Sequence, residues 1–398
     1  MTGAVIVDVV RTAGGIRHGR LAGWHPVDLA AEVLKSLTQR NDLDPAEVDD
    51  VIMGCVMQVG AQGLNLGRNA VLAAGWPEAV PAVTIDRQCG SAQQAVHFAA
   101  QGVMSGAYEV VVAAGVEVMS LVPLGASGMV PAVGAPLGPT VARRYAAAGG
   151  LVPQGISADL VARQWRLSRQ DLDTYAAQSH QRAARATAEG RFAAEIVPVA
   201  GRARDKGTGR PIDLGEVVIA DEGIRPAATT DVLGRLKPAF AAGSVITAGN
   251  SSQIADGAAA ALVMSQERCA SRRLTARARF HAFALAGVDP VTMLTGPVPA
   301  TRKVLERAKL GIDDIDLFEV NEDFASVVLA WEREIHPDMA RVNVNGGAIS
   351  LGHPVGASGT RLLATLVNEL ERTGGRWGLQ TMSESGGMAN AMVVERLG

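Results

Sequence analysis

Two stretches far apart in the chain carry the same pattern. LDPAEVDDVIMG at Leu43–Gly54 and LGIDDIDLFEVN at Leu310–Asn321 each set a capped turn with paired aspartates ahead of an apolar strand. A second match follows each of them. Cys89-Gly90-Ser91-Ala92 leads into a helical stretch and then a strand at 110–114, and Gly356-Ala357-Ser358-Gly359 leads into a helix and then a strand at Trp377–Thr381. A repeated α/β unit, one copy in each half, is the simplest arrangement that produces both matches. Short β-branched runs alternate with Ala-rich stretches, which predicts an α/β fold whose strands are mostly buried, Val5–Val10 among them. His25–Leu34 reads as a helix entered through a proline turn.

A length of 398 residues exceeds one simple core and predicts two or three domains sharing buried surface. Between the halves, roughly 122–245, the character changes: Gly/Pro-rich segments at 123–139, a helical stretch from Ser157 to about Gly190, and a polar segment at 201–210. Such a segment is long enough to form a small inserted domain. The predicted division is 1–121 plus 246–268 for the first half, 122–245 for the insertion, and 269–398 for the second half.

Composition narrows the function. With 48% apolar residues and a formal charge of -3, neither a nucleic-acid surface nor a strongly charge-driven partner is expected, and a small-molecule site is. The N-terminal MTGAVIVD has no basic region followed by a long apolar segment, and no run reaches the roughly 18 apolar residues of a membrane span. Three dispersed cysteines, Cys55, Cys89 and Cys269, fit a reducing cytoplasm better than a disulfide framework, and no His/Cys cluster has zinc spacing.

Three places carry chemistry. Cys89 follows the apolar run Val80–Ile85 at the mouth of a helix, where free backbone N–H groups and the helix dipole favour thiolate; the alternative is a small buried cysteine. His353 sits in a loop of small residues, Asn343–Pro354, where backbone and ligand approach closely and an imidazole can take a thiol proton. Asn321, in Glu319–Ala325, either caps the following helix or orients a water at a substrate carbonyl. Its carboxylate neighbours Glu322 and Asp323 form either a charged first turn or part of a site.

The order of these features is specific. A cysteine at a helix mouth, Asn-Glu-x-Phe-Ala at 321–325, Gly-Gly-Ala-x-x-x-Gly-His-Pro ending at Pro354, and a C-terminal Gly386-Gly387 turn together resemble the thiolase family, and the resemblance extends over nearly the whole chain. It implies a five-layer αβαβα body of two duplicated halves with an inserted loop domain. It also implies a homodimer or homotetramer and an acyltransferase that binds acyl-CoA and coenzyme A as substrates, with no permanently bound cofactor and no metal. By the same resemblance Cys89 is the nucleophile activated by His353, and His353 with a water on Asn321 forms one oxyanion hole. The backbone N–H groups of Cys89 and Ser385 form the other. Coenzyme A would be bound by Arg225, Ser252, Ala248, Phe240 and Phe324, with Ala248 and Phe240 flanking the pantetheine. No G-x-G-x-x-G opens a helix with a following acidic residue, so a dinucleotide-binding reading fails.

Two positions depart from the family pattern. The usual C-terminal turn is Cys-x-Gly-Gly-Gly, and its cysteine is the second acid/base; here Ser383 stands in its place and Ser385 replaces a glycine. The usual Asn-Glu-Ala-Phe is Asn321-Glu322-Asp323-Phe324. Thiolases of the sterol-carrier type hold a cysteine at that third position, which supplies the missing acid/base. Asp323 is therefore expected to take over the proton work, with Ser383 as hydrogen-bonding partner. Pro153 and Gln154 replace a His-Met pair of the substrate-side segment, which shifts the expectation toward a bulkier or more polar acyl group. Three functions follow: thiolytic cleavage of a 3-oxoacyl-CoA, a repurposed acyltransferase or condensing enzyme, and a non-catalytic acyl-CoA-binding homologue.

Overall fold

The structure is a computed structural model that describes residues 3–129 and 134–398. Residues 130–133 of the Gly/Pro-rich 123–139 segment, and Met1 and Thr2 of the N-terminal reading, lie outside the described residues.

Nine strands form the spine of one sheet: β1 (Ala4–Thr12), β2 (Asp50–Gly54), β3 (Ala82–Ile85), β4 (Val110–Val118), β5 (Ala255–Ser265), β6 (Ala278–Gly287), β7 (Leu317–Val320), β8 (Trp377–Glu384) and β9 (Met388–Arg396). Their order is β7-β8-β9-β6-β1-β5-β4-β2-β3. Read outward from the centre, β1-β5-β4-β2 on one side mirrors β6-β9-β8-β7 on the other, and the pairing directions match step by step. Even β3 has a counterpart: Val342 makes a parallel bridge to Phe318 where β3 pairs with β2 in the first half. The internal repeat is therefore a repeat of topology. The halves meet where β1 and β6 pair antiparallel, Val5 opposite Arg279 and Ile6 opposite Ala278.

Helices cover both faces. In the first half α1 (Pro26–Arg40) and α2 (Leu66–Ala73) pack together on the outside, and in the second α6 (Pro297–Ala308) and α7 (Ala325–Ile335) do the same. The stripe Leu29, Val33, Leu34 and Leu37 of α1 is fully buried, the period-3.6 face that a sheet-covering helix needs. Between the two parts of the sheet lie α3 (Ser91–Ser105) and α8 (Ser358–Thr373), which touch each other as well as the strands. Helix, sheet, helix, sheet, helix is the five-layer stack. Strands β4 and β5, covered on both faces, are buried along their whole length, as continuous apolar runs require.

The middle layer is close-packed at its glycines. A Cβ on Gly359 would lie 2.1 Å from the Gln93 backbone nitrogen, and one on Gly115 would lie 2.1 Å from the Gly356 carbonyl oxygen. Gly359→Ala is thus expected to force α3 and α8 apart and to destabilise the fold by about 1–3 kcal/mol or more, measured by urea denaturation.

Between β4 and β5 the chain departs from the sheet. The helical stretch read as continuous from Ser157 to about Gly190 is two helices, α4 (Gln154–Gln164) and α5 (Arg169–Ala188). Arg166 at φ 51 breaks the run, and Ser168 with Asp171 forms a capping box that starts α5. The polar 201–210 segment is the turn region of a hairpin, Val199–Arg204 paired with Pro211–Val218.

Candidate active site

The site lies where the two halves of the sheet meet the segment between β4 and β5. Cys89 stands just ahead of α3, whose N-cap is Gly90, and is 5% exposed. His353 follows a short helix at Ala348–Leu351 and is pinned by its backbone N–H donating to the Gln253 carbonyl. Asn321, Glu322 and Asp323 occupy the turn between β7 and α7, and all three are buried. The helix begins at Ala325 with Phe324 as its N-cap residue and no side-chain cap bond. The capping alternative for Asn321 is thereby excluded. Ser383 is on β8, paired with Ala389 of β9.

These residues converge. A ligand atom of Cys89, one of Asp323 and one of His353 all lie within 4.8 Å of one another. His353 Nε2 is 3.7 Å from Asp323 Oδ1 and 3.5 Å from Asn321 Nδ2. On its far side the ring meets Ser358: Nδ1 lies 2.6 Å from Ser358 Oγ, and that hydroxyl donates to the Pro354 carbonyl. With its single hydrogen committed there, Ser358 accepts from Nδ1–H. The hydrogen-bond network thus assigns the tautomer with a free lone pair on Nε2, facing the site. Burial, reinforced by the Arg361 charge, pulls the His353 pKa down to about 3, so the ring is neutral at physiological pH.

Ser383 Oγ donates to Asp323 Oδ2 at 2.5 Å, while Asp323 Oδ1 has no partner and points toward His353. Burial raises the Asp323 pKa to about 7, against the lowering effect of the Ser383 hydrogen bond. An outward-turned Asp323 is ruled out, since the residue is 2% exposed. The Cys89 thiol is pushed well above its ordinary value, first by burial and then by the Asp323 charge. The helix-mouth position thus meets an opposing field that its sequence context does not announce.

A cavity of about 260 Å³ opens beside the trio. Its lining includes Phe240, Ser252, Phe324, Asp323 and His353. Arg225 and Ala248 lie outside it and are exposed. The turn after β8 passes close by. Gly386 and Gly387 have φ values of 85 and 79, and a Cβ on Gly387 would meet the Val288 carbonyl at 2.6 Å. Only glycine suits such a turn, and it brings Ser385 next to the site.

Two residues there escaped the sequence reading as site residues. Gln154, the first residue of α4, contacts both Cys89 and Ser385. Glu384 is fully buried with both carboxylate oxygens unpartnered, and its Oε1 would lie 2.1 Å from a Cβ on Gly90. The charged residue inside the otherwise small C-terminal turn was the available signal for it.

The comparisons agree along the whole chain. The thiolase N-terminal domain matches residues 4–267 and the thiolase C-terminal domain residues 274–396. The steroid 3-ketoacyl-CoA thiolase FadA6 of Mycobacterium tuberculosis is 46% identical over 100% of this chain and 95% of its own length. A 3-ketoacyl-CoA thiolase of Bacillus subtilis is 42% identical over 99% of this chain and 100% of its own. The crystal structure of the Bacillus anthracis acetyl-CoA acetyltransferase superposes with a TM-score of 0.88 at 36% identity, covering 100% of this chain and 99% of that one. A repeated α/β topology, an interior cysteine and histidine brought together across its two halves, and matches to both domains from end to end have one reading: the chain belongs to the thiolase family.

Proposed function

We propose that the protein cleaves 3-oxoacyl-CoA by thiolysis, with Cys89 as nucleophile, His353 as its base and Asp323 as the second acid/base in place of the usual cysteine. The observation that carries this reading is the convergence of Cys89, Asp323 and His353 within 4.8 Å. A protein that only held acyl-CoA would need no such constellation.

The steps follow from the geometry. The Cys89 thiol gives its proton to the neutral Nε2 of His353, and the sulfur attacks the C3 carbonyl of the substrate. Once protonated, Nε2–H turns from acceptor to donor. It then faces the thioester oxygen on which the enolate charge will develop, together with a water held by Asn321, whose Oδ1 is buried without a partner. The C2–C3 bond breaks, its electron pair passes to the acetyl-CoA enolate, and protonated Asp323 delivers a proton to C2. The acyl group remains on Cys89, its carbonyl held by the backbone N–H groups of Cys89 and Ser385. Incoming coenzyme A gives its thiol proton to the Asp323 carboxylate, its sulfur bonds to the acyl carbon, and the Cys89 thiolate departs and takes its proton back from His353 Nε2. A carboxyl with pKa about 7 serves both directions of transfer near neutral pH, where an ordinary carboxyl would not stay protonated.

Coenzyme A would enter past Phe240, Ser252 and Phe324, with exposed Arg225 and Ala248 farther out; residues 122–245 are read as the inserted domain that carries much of this surface. The acyl side is bordered by Met119, Leu124 and Val355. That apolar room, together with the similarity to a thiolase named for steroid substrates, supports a bulky acyl group. We read the protein as cytoplasmic and homo-oligomeric, a dimer or tetramer, without nucleic-acid or membrane partners. Among the described residues no helix is long and apolar enough to cross a membrane. β3 is an edge strand with Val83 exposed and Phe98 and Leu64 exposed nearby, the kind of edge that a second copy would cover.

Incubation with a series of 3-oxoacyl-CoAs is expected to give an intact-mass increase equal to the acyl group, mapped to Cys89 and discharged on adding coenzyme A. An adduct that coenzyme A does not release would instead indicate the repurposed acyltransferase. No adduct and no turnover would indicate the binding protein.

A further inference from the structure

We propose that Gln154 is a further catalytic residue, its side-chain amide donating to the Cys89 sulfur to stabilise the thiolate, and that Ser385 is the positioning residue that aims it. Gln154 Nε2 lies 3.9 Å from Cys89 Sγ and 2.6 Å from Ser385 Oγ. An amide nitrogen carries two hydrogens, so one serves each acceptor. The short bond to Ser385 holds the amide plane and leaves the second N–H directed at the sulfur. Both ends are fixed by the backbone. Gln154 opens α4 directly after Pro153, and Ser385 is held by the two left-handed glycines that follow it.

The setting of the sulfur makes this donor matter. Burial opposes thiolate formation most, followed by the charge of Asp323 in the turn ahead of α7 and, once ionised, that of Glu384 at the end of β8. His353 is neutral, and Asp86 and Arg87 precede Cys89 in the chain, where the Arg87 and Asp86 charges act on Glu384 in opposite senses. The Gln154 amide and the Cys89 backbone N–H work in the thiolate's favour. Replacing the second cysteine by a carboxyl adds a negative group next to the nucleophile. A neutral donor offsets that without adding a charge that would itself need a partner in a buried site.

The same two positions depart from the family's usual residues, Gln154 from His-Met and Ser385 from glycine. Neither change has an evident use alone, and together they make one hydrogen-bonded pair. The inference rests on Cys89 as nucleophile, but its test reads the thiol itself and needs no substrate. Iodoacetamide alkylation would be followed as a function of pH, with the Cys89 peptide quantified by mass so that buried Cys55 and Cys269 do not contribute. In Gln154→Leu the midpoint of the rate profile is expected to move up by about one unit, with alkylation near neutral pH about tenfold slower. Ser385→Gly is expected to move it the same way by a smaller amount, with a drop in kcat and little change in KM. An unchanged midpoint in Gln154→Leu would overturn the proposal. So would a loss of activity in Ser385→Gly carried by KM alone, since that would make the pair a substrate-packing element.

Discussion

Replacing Asp323 with alanine is expected to lower kcat by about two to four orders of magnitude, the range that a positioned acid or base contributes. Ser383→Ala, measured beside it, is expected to lose much less. Its hydroxyl donates to Asp323 Oδ2 and lowers the carboxyl's pKa, so removing it leaves the acid in place but harder to ionise. The pH profile carries the sign. In the proposed step that activates coenzyme A, Asp323 acts as a carboxylate, so the rate is expected to rise with pH through about 7 in the parent enzyme. In Ser383→Ala that limb moves to higher pH, and in Asp323→Ala it disappears. The double change Asp323→Ala with Ser383→Cys puts a thiol back where most of the family has one, and should recover at least about tenfold of the lost rate. An Asp323→Ala variant that keeps most of its turnover would sink the assignment.

Glu384→Gln should be markedly more stable than the parent protein in mild alkali and nearly equal to it in mild acid. Glu384 is buried beside Gly90 with neither oxygen hydrogen-bonded, and burial pushes its pKa to about 8. A folded-state pKa above the unfolded value means that the native protein holds the proton more tightly. Its contribution is complete below the unfolded carboxyl pKa, and it is lost as pH rises through about 8. The span from the ordinary value of 4.5 to about 8 corresponds to a few kcal/mol, about 1.4 per unit. An amide of the same shape carries no proton to lose. Thermal melts at about pH 5 and about pH 9 should therefore show a gap between parent and variant that opens with pH. A gap that is the same at both values would mean that Glu384 keeps its charge and finds a partner in solution.

Much of this architecture was legible because it repeats. The pattern shared by Leu43–Gly54 and Leu310–Asn321 became β2 and β7, each reached through a short 3-10 turn, at equivalent places in the sheet. Cys89 is marked by its place at a helix mouth after an apolar run and His353 by its loop of small residues, and the substitutions at 323 and 383 point to each other, consistent with the hydrogen bond between them. Contacts set by tertiary register were not legible. Gln154 reaches Cys89 only because α4 returns over the site, and Glu384 meets Gly90 only because β8 ends where α3 begins. Local pattern also misjudged the insertion, where Arg166 in a left-handed conformation divides what reads as one helix and a polar run turns out to be a hairpin tip. Neither polarity nor helix propensity encodes where such a chain folds back.

The halves of the sheet are joined through two residue pairs, Val5 with Arg279 and Ile6 with Ala278, and they divide the chemistry between them. Cys89 belongs to the first; Asn321, Asp323, His353 and Ser383 belong to the second. On the proposed roles neither repeat on its own holds both a nucleophile and a proton carrier, so turnover would be a property of their docking. During refolding, catalytic competence should therefore lag behind the secondary structure of either half, and the appearance of thiolase activity would report the moment at which two similar bodies first become one enzyme.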